Sequence, residues 1–138
     1  MQNIDKKKLY RTIDANFNRT KEGLRVCEDI CRFIFDNKTW TREYKTIRHE
    51  VTKIIASLKI IEIVKARDID EDVGKASTAV EMKRNAVVDI FYANSQRVKE
   101  SLRVLEEFSK LLNRRFAQRL KAVRYRIYAL EKKIIERL

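Results

Sequence analysis

Asparagine, arginine and glutamate recur at three-residue spacing twice in this chain. Asn16, Arg19 and Glu22 lie within ANFNRTKEGLRVCE (15–28), and Asn94, Arg97 and Glu100 within ANSQRVKESLRVLE (93–106). A guanidinium neutralises a phosphate, an amide hydrogen-bonds a heterocycle or a phosphate, and a carboxylate orients an arginine or holds a cation. Together they suit an anionic small molecule. At offset 78 the two stretches are identical at nine of fourteen positions, too many for helices that share only an apolar period.

A second set of repeated groups follows each copy. At offset 76, Lys45, Ile47, Arg48 and Val51 fall on Lys121, Val123, Arg124 and Ile127, with His49 opposite Tyr125. The repeating unit is therefore about fifty residues and reads as a helical hairpin, present twice. Between the copies, Asp68, Asp70, Glu71 and Asp72 precede Gly74, a carboxylate cluster that either is solvated or holds Mg2+ with substrate phosphates. It fails as an EF-hand, because counting from Asp68 puts Val73 and Ala79 where that loop needs Gly and Glu. The sequence has no glycine-rich phosphate loop, zinc spacing or nucleophile elbow, and its one histidine cannot supply the paired ExxH motifs of a di-iron bundle.

Four long helices must position these groups. Leu9, Ile13, Phe17, Leu24, Cys27, Cys31, Ile34 and Phe35 keep one face apolar to about residue 35, with Asp5 or Asp14 as cap. Asp36–Thr39 breaks the period, and a second helix runs from about Trp40 on Tyr44, Ile47, Val51, Ile54, Ile55, Leu58 and Ile61. ARDIDEDVGKAS, residues 66–77, is the one substantial loop. Thr78 and Glu81 form a capping-box pattern that starts a third helix at about residue 79, carrying Val87, Phe91, Val98, Leu102, Leu105, Phe108 and Leu112 to near Asn113. The fourth runs from about Arg115 to the C-terminus on Phe116, Leu120, Val123, Ile127, Leu130, Ile134 and Leu138. The expected fold is all-α, a single domain over 1–138. It is an antiparallel four-helix bundle from a duplicated helical hairpin (repeats about 14–62 and 90–138, linker 66–77) with pseudo-twofold symmetry.

On a wheel of about 100° per residue, Asn16 and Arg19 fall with Val26, Cys27, Ile30, Phe33 and Ile34, opposite Lys21, Arg25 and Arg32. Asn94 and Arg97 fall among Val104, Leu105, Phe108 and Leu112. Both Asn and Arg pairs are therefore expected to point inward, with Glu22 and Glu100 at the edge of the face and within reach of the arginines. A buried arginine with no partner costs several kcal/mol against a fold stability of roughly 5–15 kcal/mol. It must pair internally, fixing the register of the helices, or bind an anion. Arg48, Arg124 and Glu131 are expected on or beside the inward stripes, and Arg25 and Arg103 near the outer face.

Composition bounds the rest. With no proline and two glycines in 138 residues, few turns divide the helices. Lys and Arg exceed Asp and Glu by 32 − 20 = 12, spread along the whole length, so the natural partners are anions: phosphorylated metabolites, nucleotides, nucleic acid or an anionic surface. Cys27 and Cys31 lie four apart on one helix, poorly placed for a disulfide, and read as small core residues in a reducing compartment. No apolar run has signal-peptide or membrane-spanning length, which predicts a cytoplasmic protein without membrane contact.

The motifs DANFNRTKEGLRVCEDICRF, IRHEV, RDIDEDVG, ExxR at Glu81 and Arg84, YANSQRVKESLRVLEE and RYRIYALE resemble, in order and over nearly the whole chain, a small helical family found alone or fused to thiamine-phosphate synthase. That family is identified as a monofunctional hydroxymethylpyrimidine phosphate kinase. The resemblance implies transfer of the ATP γ-phosphoryl group, with Mg2+, to a phosphorylated pyrimidine, giving the pyrophosphate used in thiamine synthesis. It also implies a functional link to thiamine-phosphate synthase, and it leaves homodimerisation open. Such an acceptor is a phosphate oxygen, already anionic near neutral pH, so positioning and charge neutralisation outweigh general-base chemistry. On this resemblance Arg19, Arg97, Arg48 and Arg124 neutralise phosphate, with Arg67 and Arg84 as further candidates. Asn16, Asn94 and His49 bind substrate, while Glu22, Glu100 and Asp72 carry Mg2+ or orient the arginines. Lys75 after DVG departs from the expected small hydroxyl residue, as Cys27 and Cys31 do from aliphatic ones.

Two other classes fit the composition. A nucleic-acid-binding helical module would place basic stripes outward, with Tyr10, Tyr92, Tyr125 and Tyr128 beside them. A structural or oligomerisation bundle would pair every inward polar group within the protein.

Overall fold

A computed structural model describes residues 4–58 and 60–138, with all of their side chains except those of Ile60, Val80 and Glu81. The regular elements among the described residues are all helical, with no strand: α1 (Lys6–Asp29), α2 (Lys38–Ala56), α3 (Ile60–Lys65), α4 (Ala79–Met82), α5 (Val87–Ser109) and α6 (Arg114–Glu136). Side chains cap three of the four long helices. The Asp5 carboxylate accepts from Lys7 N at 3.0 Å, Asn37 from Trp40 N at 2.9 Å and Asn113 from Arg115 N at 2.8 Å. α1 packs on α5 and α2, and α6 also packs on α5 and α2, so each long helix meets two others. Between them lie Ile13, Leu24, Cys27, Tyr44, Val51, Ile54, Phe91, Val98, Leu102, Leu105, Leu120 and Ile127, all essentially inaccessible to water.

One pitch and two boundaries differ from the expected ones. The first helix changes pitch at a π-helical turn, Ile30–Ile34, closed by Phe35 N donating to Ile30 O at 3.0 Å. The extra residue swings the following side chains round the axis. Phe33 and Ile34, expected inward, stand in solvent, while Phe35 packs edge-on to Trp40 at 6.1 Å. Asp36, at φ 49°, ends the run. The second helix stops at Ala56, where Ser57 Oγ donates to Ile54 O at 2.6 Å. Short α3 then buries Ile63 and exposes Ile61. The third helix begins at Val87 rather than near 79, because Lys83–Ala86 breaks from α4 and the Asp89 carboxylate anchors the α5 start by accepting from Asn85 N and Ala86 N. Glu81, expected to close a capping box with Thr78, has its side chain outside the described residues.

The repeated helices meet face to face. Thr20 Oγ1 and Ser101 Oγ share a hydrogen bond at 2.7 Å, Gly23 faces Val98, and Cys27 Sγ donates to Phe91 O at 3.8 Å. Residue numbers rise along one helix as they fall along the other, so α1 and α5 run antiparallel. A Cβ added at Gly23 would lie 2.7 Å from Val98 Cγ2 and 3.0 Å from the Asn94 carbonyl oxygen. Gly23→Val is therefore expected to cost about 1–3 kcal/mol by overpacking, read by urea unfolding, with Val98→Ala in the same chain returning most of it. Unchanged stability would mean that the two helices separate freely at this seam.

Candidate functional site

Both Asn-Arg motifs lie along the α1–α5 seam. Asn16 is buried, with Nδ2 donating to Thr12 O at 2.9 Å and Oδ1 accepting from Arg19 Nη1 at 3.3 Å. Asn94 is half-buried and donates in the same way to Ile90 O at 2.8 Å. Arg19 and Arg97, expected inward, are instead exposed at the lip of the seam. The inward places beside them belong to Thr20 and Val98, because small residues bring the two backbones too close for a guanidinium between them. The wheel had leaned on Phe33 and Ile34, which the π-helical turn carries off the apolar face. Glu22 and Glu100 are exposed, and Arg97 Nη2 crosses the seam to Glu22 Oε1 at 3.5 Å.

A concavity opens beside each motif. The first joins Lys8, Arg11, Asp14, Asn16 and Arg19 of α1 to Arg67, Asp68 and Asp72 of the linker. Here Arg67 donates from Nε and Nη2 to both oxygens of buried Asp14, at 2.7 and 2.8 Å, which raises the guanidinium pKa further and keeps it charged. The second joins Glu22 and Val26 of α1 to Asn94, Gln96, Arg97 and Glu100 of α5, with Ser77 from the far end of the linker, Met82 of α4 and Arg84 just after it. Arg84 Nη1 donates to Lys83 O at 2.7 Å. One linker thus walls both concavities, its start the first and its end the second.

The carboxylates admit a cation only in partnership with a ligand. Among the described residues no three His, Cys, Asp or Glu side chains converge. Asp68 and Asp72 both line the first concavity, each with one oxygen accepting a loop amide at 3.0 Å, from Glu71 N and Gly74 N respectively. One or two carboxylates completed by water and substrate phosphates is the set Mg2+ ordinarily takes.

The family model for the ThiD2 family matches residues 11–133. The chain belongs to the ThiD2 family. It is 39% identical over 128 residues to the thiamine-phosphate synthase of Nostoc punctiforme, covering 92% of this chain and 35% of that protein. Against the thiamine-phosphate synthase of Synechocystis it is 39% identical over 144 aligned residues, covering 100% and 41%, and against that of Rhodopirellula baltica 34% identical over 130, covering 94% and 35%. The chain thus spans little more than a third of these relatives. No solved structure matches it. Of the residues lining the two concavities only Lys8 precedes the ThiD2 match.

Arg48 and Arg124, expected with the motif arginines, line neither concavity in this ThiD2 chain. Arg48 Nε donates to buried Glu28 at 3.1 Å, and Arg124 bonds both oxygens of buried Glu106, Nη2 to Oε1 at 3.2 Å. Arg25 and Arg103, exposed as expected, reach the same two carboxylates at 3.4 and 4.0 Å. Each repeat therefore holds one buried glutamate between two arginines. Glu131 is tucked in as expected, bonded to Lys99 at 2.9 Å. His49 is exposed on α2, away from both concavities. Lys8, Arg11 and Gln96 line the site without having been singled out for it, and of the carboxylate cluster Asp68 and Asp72 line it. Lys8 and Arg11 precede Ala15 and Asn18 at three- and four-residue spacing, a helical stripe legible in advance. The signal for Glu28 and Glu106 was their recurrence in LRVCE and LRVLE.

Cys27 and Cys31 are buried and free, as expected. Burial raises both thiols from an ordinary 9.0 to about 12, helped by Cys31 beside Cys27 and by Glu28 beside Cys31. A thiol raised in the fold contributes stability in full below pH 9, and that contribution is lost as pH climbs from 9 towards 12. At pH 8 an aromatic disulfide reagent should find no reactive thiol in the folded chain and two after denaturation. Rapid labelling of the native chain would contradict this packing. No helix among the described residues is long and apolar enough to cross a membrane.

Proposed function

We propose that this chain is a phosphotransferase of thiamine biosynthesis, passing the ATP γ-phosphoryl group to hydroxymethylpyrimidine phosphate. The observation that carries the reading is that both repeated Asn-Arg motifs open onto concavities rimmed by arginines, rather than closing on each other inside the fold. Family membership and thiamine-phosphate synthase relatives support the pathway. A purely structural module would pair these groups internally, as Arg48 and Arg124 are paired.

On this reading the four long helices form a bundle about a pseudo-twofold axis. At offset 78 the Thr20–Ser101 contact maps onto Val98–Gly23, which is also in contact, so the axis passes the seam near Glu22 and Glu100. Arg19 and Arg97 flank it and draw charge off the transferring group. Asn16 and Asn94 orient ligands. Glu28 and Glu106 hold Arg48 and Arg124 against the helices that carry the motifs. Asp68 and Asp72 are the residues that would hold Mg2+, which when bound neutralises phosphate charge. His49 takes no step.

A coupled assay offering ATP, Mg2+ and either the pyrimidine phosphate or the free pyrimidine alcohol tests this. Turnover of the phosphate is expected. Well-folded protein that leaves the phosphate untouched would end the kinase reading.

A further inference from the structure

We infer that the two ends of the seam are chemically unequal and divide the substrates: the α1 concavity takes the polyphosphate of the nucleotide and the α5 concavity takes the phosphorylated pyrimidine. The division rests on the kinase reading above, but its first half is a statement about polyphosphate binding that stands or falls alone.

Charge makes the distinction. The α1 concavity is lined by four cations, Lys8, Arg11, Arg19 and Arg67, twice the number at the α5 end. Asp14 and Arg67 neutralise each other in their bidentate bond, which leaves Lys8, Arg11 and Arg19 for a ligand, and Asp68 and Asp72 line the same concavity, where a divalent cation would accompany phosphates. A triphosphate carries about four negative charges near neutral pH and has no apolar face there to satisfy. The α5 concavity presents two cations, Arg84 and Arg97, and already contains Glu22 and Glu100. Val26, Met82 and Ala93 line it beside the amides of Asn94 and Gln96, as Ala15, Ile69, Asn16 and Asn18 line the first, so the number of cations is what separates the two ends. A flat aminopyrimidine with one phosphate needs apolar contact, a few hydrogen bonds and two compensating charges.

Geometry lets the ends cooperate. With Thr20 level with Ser101 in the antiparallel crossing, Arg97 is level with about residue 24, five residues or roughly 8 Å along the axis from Arg19 at 1.5 Å per residue. A polyphosphate chain extending from the α1 end reaches the α5 end over that distance. There an oxygen of the pyrimidine phosphate bonds to the γ-phosphorus while the bond from that phosphorus to the β–γ bridging oxygen breaks. Nucleoside diphosphate leaves with the electron pair of that bond. The donor loses one negative charge and the acceptor gains one, so no proton need be taken up or released.

The test measures binding separately from turnover, by calorimetry on the full chain with Mg2+, using inorganic tripolyphosphate, ADP and the pyrimidine phosphate as three probes. Arg11→Ala and Lys8→Ala, both at accessible positions, should weaken tripolyphosphate and ADP by about ten- to a hundredfold and leave pyrimidine phosphate within about twofold. Arg84→Ala should do the reverse. Thermal unfolding close to that of the native chain shows that each variant is folded. Failure of the native chain to bind tripolyphosphate, equal weakening of all probes by Arg11→Ala, or loss confined to the pyrimidine phosphate would each overturn the division. Tripolyphosphate binding that depends on Arg11, in a chain showing no turnover, would remove the kinase reading and leave the α1 polyphosphate site standing.

Discussion

Arg19→Ala and Arg97→Ala are each expected to cut turnover by about a hundredfold or more, the usual cost of removing one preorganised group that meets charge in a phosphoryl transition state, while the fold is barely disturbed. Both side chains are exposed, and truncation at an exposed position usually changes stability by less than about 0.5 kcal/mol. The contact from Arg97 to Glu22 is 3.5 Å between groups 50% and 67% exposed, an ion pair of the surface kind with little to lose. Activity and stability therefore separate at these two positions. Lysine substitutions should recover part of the rate, because an ammonium keeps the charge but not the fork geometry of a guanidinium. Steady-state rates beside thermal midpoints decide the matter. Native rates in both alanine variants would remove the motif arginines from the chemistry.

Glu106→Leu is expected to destabilise the chain by about 3–5 kcal/mol, because it leaves a buried guanidinium without its carboxylate. Arg124 is 10% exposed and Glu106 4%, and two nitrogens of the one bond both oxygens of the other. That loss is a large part of a typical stability of about 5–15 kcal/mol. Adding Arg124→Met should restore most of it, since replacing a buried pair with apolar groups of similar size is commonly neutral or better. Glu28→Leu should cost less, because Arg48 makes a single bond to Glu28 and is 13% exposed. Urea unfolding of the four chains gives the comparison. The double variant serves a second purpose: a stable but inactive chain would return Arg124 to the phosphate-neutralising role its repeated position first suggested, whereas a stable and active one would leave it structural.

Residue order alone determined the helical class, the recurrence of one motif in two helices and most of the core. An apolar stripe of helical period must be buried, and nine repeated positions in fourteen are not produced by a shared period. The order of residues also singled out Asn16, Arg19, Asn94 and Arg97. The direction of the arginines was beyond its reach. A wheel assumes uniform pitch, and the π-helical turn at 30–34 breaks that assumption where the wheel took its bearings. Only the tertiary structure decided that Thr20, Gly23 and Ser101 bring α1 and α5 into close contact and hold the guanidinium groups at the lip. It alone decided that Arg48 and Arg124 turn to Glu28 and Glu106, and that the two ends of one linker wall two concavities. The physical reason is common to all of these. Which carboxylate an arginine meets, and which loop closes over a helix, depends on how close two backbones come, and residues 53 or 75 positions apart settle that only after the chain has folded.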